Sequence, residues 1–341
     1  MKLSALLAGV LLLAACPNQS RNDSMNALNA GNKANGAKQF DTAIAEYQKA
    51  VAAMKENHLA WYGMGGAYAG RQSWDKSADS FANAVQLEPD QAMYQMWYGV
   101  ALYEKAVQEA KDAQARKENK KPEEVQVDYA NVNFQTALQH LQKAVELNKD
   151  MWRAHYYLGK IFKESSKPKE AADELSKALA ANPREAAPYV ALSELYRKWD
   201  YSAEAVKVAS QGAANVPGSN EVTDIWFSLG MAYDDQGKSK EAIDAFSKAI
   251  DTSKGNQKAR FQRGQTEFRT GNYDDAKKDL TEFQKSAGAS LEFQKQQANK
   301  MVMEISAKQN PPPAGGAPAN PKDNAVTDML KKGGGPPPKK K

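Results

Sequence analysis

Written in rows of 34 from Ser24, the sequence lines up its small residues in columns. The eighth column holds Gly31, Gly65, Gly99, Gly159, Ser193, Gly230 and Gly264, where a chain with 22 glycines in 341 residues would by composition place fewer than one. The twentieth holds Ala43, Ser77, Ala137, Ala171, Ala205, Ala242 and Ala276. The twenty-fourth is mostly large, with Tyr47, Phe81, Leu141, Leu175, Ala209, Phe246 and Leu280. The twenty-seventh is small again, Ala50, Ala84, Ala144, Ala178, Gly212 and Ala249, until Phe283. Small residues let two helices approach closely, and large ones fill the space beside them. Helices that fit half a period, about 12 to 15 residues long, are marginal alone in water, so stability has to come from stacking each unit on the next.

These columns resemble the tetratricopeptide repeat, a pair of antiparallel helices with Trp, Leu, Gly, Tyr, Ala, Phe and Pro at set offsets. Trp61, Gly65, Tyr68, Ser77, Phe81, Ala84 and Pro89 carry the pattern in one unit, and Trp226, Leu229, Gly230, Tyr233, Gly237, Ala242, Phe246 and Ala249 carry it in another. The resemblance implies an all-α fold, an α-solenoid or right-handed superhelix of about seven helical hairpins. Repeats are expected at 24–57, 58–91, 92–151, 152–185, 186–219, 223–256 and 257–290, with a capping helix at 291–308 completing a solenoid over 24–308. The first is weak in its opening helix, where Ala27 and Ala34 stand at positions usually large, and is expected to fray. The third is interrupted, because Gly99 and Ala137 lie 38 apart instead of 12. Across this insertion, at 104–129, Glu104 to Lys117 reads as helix, Glu118 to Pro122 as a polar break, and Glu123 as the start of a new helix. It is either an overlong hairpin projecting from the array or a local binding element, and helix extension is the commoner outcome.

The ends of the chain differ from this body. Met1 and Lys2 precede an uncharged run, Leu3 to Leu13, long enough for a signal peptide and too short to span a bilayer. The run ends in Leu13-Ala14-Ala15-Cys16, which resembles the bacterial lipobox. That resemblance implies that 1–15 is removed and that Cys16, the only cysteine, is acylated and begins the mature chain. Residues 16–23 then read as the lipidated cysteine and a linker. Pro17 stands where Asp would signal retention in the inner membrane, so an outer-membrane lipoprotein facing the periplasm is favoured, with the inner membrane still open. The segment 309–341 is rich in Pro, Gly and Lys and lacks the apolar residues for a packed core, so disorder is expected. It also carries most of the formal charge of +5, which leaves the repeat body nearly neutral and argues against nucleic acid as a partner.

Chemistry is sparse. One cysteine excludes a disulfide framework and a cysteine-based zinc site, and His58, His140 and His155 fit no two-histidine metal motif. No nucleophile elbow, phosphate loop or dinucleotide fingerprint occurs, and Gly63 to Gly66 falls inside a helix where small residues serve packing. The expectation is a protein that is not an enzyme and needs no metal or cofactor.

Binding is the alternative that the resemblance supplies. In the family the first helices line a groove through their second, fifth, ninth, twelfth and thirteenth columns. Carried onto this chain, the fifth column gives Tyr62, Met96, Tyr156, Val190, Phe227 and Phe261, with Phe268 at a twelfth. Core packing is the competing reading of that stripe. Lys160, Lys163, Arg197, Lys198 and Arg269 are placed to meet an acidic segment, with Asp224, Asp234 and Asp235 as an acidic counterpart, and a solvated charged face competes here. The clamp by which some members hold a C-terminal carboxylate is incomplete, because Asn32 matches it but Leu28 replaces its lysine. The reading that results is an interaction scaffold or assembly factor for an envelope machine, of the kind that assists pilus secretins, gliding or secretion apparatus, or outer-membrane barrels. Its partners would be envelope proteins in the groove and the membrane through Cys16, with weak contact of the basic tail to anionic surfaces. A regulator of a peptidoglycan enzyme is the rival.

Overall fold

The computed structural model describes residues 17–310 apart from Ser219. The expected signal peptide at 1–15, the expected acylation site Cys16 and the tail segment 311–341 lie outside the described residues. Fifteen α-helices make up the rest, with no strand among the described residues. They run as hairpins: α1 (Pro17–Gly36) with α2 (Phe40–Ala53), α3 (His58–Gly70) with α4 (Trp74–Leu87), and α5 (Ala92–Glu118) with α6 (Gln135–Leu147). Next come α7 (Trp152–Glu164) with α8 (Pro168–Ala181), α9 (Ala186–Lys198) with α10 (Ser202–Asn215), and α11 (Thr223–Asp235) with α12 (Ser239–Thr252). The last are α13 (Gln257–Thr270) with α14 (Tyr273–Ser286), and α15 (Glu292–Gln309). The array expected as one body over 24–308 divides into two compact units between Lys254 and Gly255. The N-terminal unit is an α-solenoid of hairpins α1 to α12. The C-terminal unit is one hairpin covered by α15, whose Ala298 and Ile305 are fully buried.

The column pattern has a direct steric cause. A Cβ added at Gly65 would lie 2.7 Å from the Phe81 ring, at Gly159 2.7 Å from Leu175, and at Gly230 2.5 Å from Phe246. Each eighth-column glycine is thus the seat of the large twenty-fourth-column residue of its own hairpin. The one hairpin without that glycine also lacks the large partner, since Ser193 faces a small Ala209. Its core is filled from the other helix, where Tyr189 is 1% exposed and sits where a Cβ on Gly212 would be 2.7 Å away. The turn inside each hairpin uses a left-handed residue, Lys38, Gln72, Ser166, Asp200, Gly237 or Gly271. The third hairpin replaces this turn with its insertion.

Three expectations are corrected. Residues 17–23 do not form a linker but the opening turns of α1, with Pro17 at the first helical position, where its missing N–H costs nothing. The first hairpin is not frayed: the Ser24 hydroxyl, fully buried, donates to the Ala50 carbonyl at 2.8 Å, and the Asn57 amide donates to Ser24 at 2.8 Å. No helix starts at Glu123. Instead α5 continues to Glu118 and ends at Asn119 in a left-handed conformation, and two single turns of 3-10 helix, Pro122–Glu124 and Tyr129–Asn131, lead into α6. This connection does not project as a bare hairpin loop. Tyr129 and Val132 pack on the Met96, Val100 and Leu141 core, and Phe134 stacks on Tyr103 with ring centres 5.1 Å apart.

Candidate peptide-binding face

In the N-terminal unit first helices touch one another directly, α1 with α3, α5 with α7, α7 with α9 and α9 with α11, while second helices pack mainly on first helices. The first helices therefore form the closer-set layer, and their outward positions share one face. The fifth-column stripe divides on this face. Met96 is 2% exposed within the third-hairpin core, and in the C-terminal unit Phe261 is 4% exposed with its ring 5.0 Å from Phe283. Both are packing residues and not groove contacts, because their side chains point into the gap between helices. Tyr62, Tyr156, Val190 and Phe227 are half-buried. Tyr62 stacks on Tyr94 at 4.9 Å and burial raises its phenol pKa; Phe227 lies 5.9 Å from Phe246, and Val190 packs against the core cluster that includes Ile225 and Leu229. Phe268 is covered by α15, with the Lys308 ammonium 5.3 Å from its ring centre.

Three of the cations expected to await an acidic ligand, Lys160, Lys163 and Arg197, already have partners. Lys160 Nζ sits 4.6 Å from the Tyr103 ring, 4.9 Å from Tyr157 and 5.6 Å from Tyr156, and 3.7 Å from the Glu104 carboxylate. Burial pushes its pKa down, against the pull of Glu104. Tyr157 donates to the same carboxylate at 3.0 Å, and burial pushes Tyr156 up to about 12, helped by the charges of Glu104 and Glu194. Lys163 lies 3.8 Å from both Glu164 and Glu194. Arg197 grips Asp235 with Nε at 2.5 Å and Nη2 at 3.3 Å. Arg197 and Asp235 therefore close on each other between adjacent hairpins, Lys160 and Lys163 meet Glu104 and Glu194 in the same way, and an acidic ligand would have to displace carboxylates already in place. Lys198 remains exposed at the rim. Leu28, at the clamp position, is 3% exposed, and the Asn32 side-chain oxygen Oδ1 accepts from the Tyr47 hydroxyl at 2.8 Å.

A different set of residues stands free on this face. Met25, Leu59 and Met93 are 39%, 45% and 45% exposed, at the second column of α1, α3 and α5. Of the fifteen groove columns in those three hairpins only Glu104 is charged, whereas ten of fifteen are charged in the next three. The face is bipartite: an open, uncharged apolar ladder at its N-terminal end, then a charged stretch largely neutralised from within. The ladder is present in the same rows of 34, since residues 25, 59 and 93 recur at that period.

The histidines are engaged structurally. His58 Nδ1 lies 2.7 Å from the Tyr94 hydroxyl, His140 Nδ1 2.7 Å from the Gln95 amide oxygen, and His155 Nδ1 2.6 Å from the Glu174 carboxylate. No group of three or more His, Cys, Asp or Glu side chains is placed to hold a metal among the described residues. No described helix is long and apolar enough to cross a membrane.

Stacked helical hairpins with a shared first-helix face define a helical-repeat interaction scaffold. The tetratricopeptide repeat matches residues 25–86, 123–186 and 223–256, and the chain is a tetratricopeptide repeat protein. Among solved structures it is similar to a tetratricopeptide repeat protein from Parabacteroides merdae, with 11% identity and a TM-score of 0.54 over 84% of this chain and 99% of that one. It is also similar to PilW, a widely conserved type IV pilus biogenesis factor, with 16% identity and a TM-score of 0.51 over 67% and 92% of the two chains. A third is the APC/C hetero-tetramer Cut9-Hcn1, with 11% identity and a TM-score of 0.55 over 85% of this chain and 48% of that one. At these identities the likeness is one of fold. No curated protein sequence matches the chain.

Proposed function

We propose that the protein is a non-enzymatic assembly scaffold of the bacterial envelope, held at the outer membrane by an acylated Cys16 and facing the periplasm. Its first-helix face receives a segment of another envelope protein. The observation that carries the reading is the ladder of Met25, Leu59 and Met93, three large apolar side chains exposed at one column of consecutive hairpins. Exposed apolar surface repeated in register is a partner-binding feature, because the fold gains nothing from leaving it in water. The anchor rests on the sequence Leu13-Ala14-Ala15-Cys16. PilW, of similar fold, is a pilus biogenesis factor, and a pilus or secretion machine is the setting we favour.

The test is crosslinked capture from native envelopes, comparing the intact protein with a variant carrying Met25→Lys, Leu59→Lys and Met93→Lys. All three sites are surface positions, so helix content and urea midpoint are expected to stay put while capture of the principal partner falls at least tenfold. Undiminished capture removes the ladder from the reading. The anchor is tested separately: Cys16→Ala is expected to release the protein from outer membranes washed in high salt.

A further inference from the structure

Helix α3 contains four glycines, and three of them are seats for aromatic rings. A Cβ added at Gly63 would lie 2.6 Å from the Tyr47 ring, at Gly65 2.7 Å from Phe81, and at Gly70 2.5 Å from Phe40. Gly66 is the exception: a Cβ there would meet nothing within 4 Å. Nor does its backbone need glycine, since the positive-φ glycines among the described residues are Gly237 and Gly271. The fold thus has neither a steric nor a conformational use for glycine in the middle of this helix, which runs from His58 to Gly70. Glycine there is also unfavourable, because in a helix interior it shifts the folding equilibrium about fivefold toward the unfolded chain relative to alanine. What the missing side chain leaves is room for another backbone to come close.

Gly66 stands at the ninth column of the first-helix face, the column of Asn32 on α1, and α1 touches α3 directly. Asn32 is exposed, and its Oδ1 is taken by the Tyr47 hydroxyl, which leaves the Nδ2 amide as a donor. On the same face of α3 lies Leu59, the middle rung of the apolar ladder, and Glu104 is the one charge among the groove columns of the first three hairpins. Apolar rungs, an amide donor and a place open to backbone suit an uncharged segment whose carbonyls are free. A helix ties up its carbonyls in its own ladder, whereas an extended chain presents them. Packed helices lie about 8–10 Å apart, so three rungs span about 16–20 Å, the reach of about six extended residues. We propose that the occupant of the ladder is an extended, uncharged segment of about that length, whose main chain crosses α3 at Gly66 and accepts from the Asn32 amide. The inference rests on the ladder reading above and makes Gly66 the residue that admits a backbone.

The probe is a set of short synthetic peptides. They are selected from a phage-displayed library on the full chain after depletion on the variant carrying Met25→Lys, Leu59→Lys and Met93→Lys, so that ladder-dependent binders remain. The selected peptides are expected to share a core free of Asp, Glu, Lys and Arg and to add no helical circular dichroism on binding. Gly66→Leu, at an open position, is expected to weaken them about tenfold or more by blocking the approach of their backbone. Gly66→Ala should weaken them less while raising the urea midpoint of the protein, a pair of opposite signs that a purely structural glycine would not give. Asn32→Asp keeps an acceptor for Tyr47 but removes the donor, and is expected to weaken binding about tenfold. Peptides that bind Gly66→Leu as tightly as the native chain, that are helical when bound, or that need charged core residues overturn the proposal and leave the ladder reading standing. Recovery of no ladder-dependent peptide counts against the ladder itself and takes this inference with it.

Discussion

Gly230→Ala is expected to lower the stability of the N-terminal unit by about 1–3 kcal/mol, the usual cost of forcing extra volume into a packed core. A methyl there would stand 2.5 Å from the fully buried Phe246 ring, and neither helix can withdraw without opening the hairpin. Phe246→Ala alone should cost about 3–5 kcal/mol through the cavity it leaves. The informative result is the double variant, because the methyl added by Gly230→Ala then occupies part of the space the ring vacated. The double variant is expected to be no less stable than Phe246→Ala alone, giving a coupling of roughly 1–3 kcal/mol between two residues that merely touch. The fifth hairpin already shows the natural form of this exchange, with Ser193 opposite Ala209. Urea unfolding followed by circular dichroism measures all four corners of the cycle. Strict additivity would mean that the glycine column serves some purpose other than seating the ring.

This reciprocity explains how much of the fold is legible in the sequence. The hairpins are visible because each close approach needs a small residue facing a large one, and that demand recurs every 34 residues. What breaks the period is less legible. The segment after Glu118 lost its repeat pattern, and its half-buried side chains at Val125, Val127 and Tyr129 alternate as an extended chain does, a weaker signal than helical spacing. The division at Lys254 left no mark in the columns at all.

The candidate site was legible only in part, for a related reason. A column says which side of a helix a residue occupies but not how far the next helix reaches over it. Met96 and Phe261 share a column with half-buried Tyr62 and Phe227, yet both are fully packed. Charges pose the same problem in stronger form. Arg197 and Asp235 are 38 residues apart and belong to different hairpins, so their bidentate contact depends on the step from one hairpin to the next. The Met25, Leu59 and Met93 ladder was open to the sequence because it needs no such knowledge, only the period and three large apolar residues in a row.

In the C-terminal unit, Arg263→Leu is expected to cost about 3–5 kcal/mol, because it strands a buried carboxylate. Asp279 is 3% exposed and accepts from Arg263 Nε at 2.6 Å and Nη2 at 2.9 Å, with Arg260 at 3.8 Å. Replacing both partners by apolar residues, Arg263→Leu with Asp279→Leu, is expected to recover most of the loss. Glu267 shares this cluster at 6% exposure, and its Oε2 has no hydrogen-bond partner. Burial, reinforced by the charges of Asp279 and Asp275 and opposed by Arg263 and Lys278, pushes its carboxyl from 4.5 up to about 7. The folded unit therefore holds this proton more tightly than the unfolded chain does between those two values. The stability it contributes is complete below about pH 4.5 and is lost as pH rises through about 7. The full loss is on the order of 3 kcal/mol. Glu267→Gln keeps the shape and removes the charge, so it should hold the alkaline side at the acid-side stability. Hydrogen exchange of the α13 and α14 amides, corrected for intrinsic rates, reads this unit directly. Protection is expected to fall by about 2 kcal/mol between pH 5 and pH 8 in the native chain, the rest of the loss lying below pH 5, and to stay level in Glu267→Gln. An equal fall in both would place the pH-sensitive group elsewhere in the cluster.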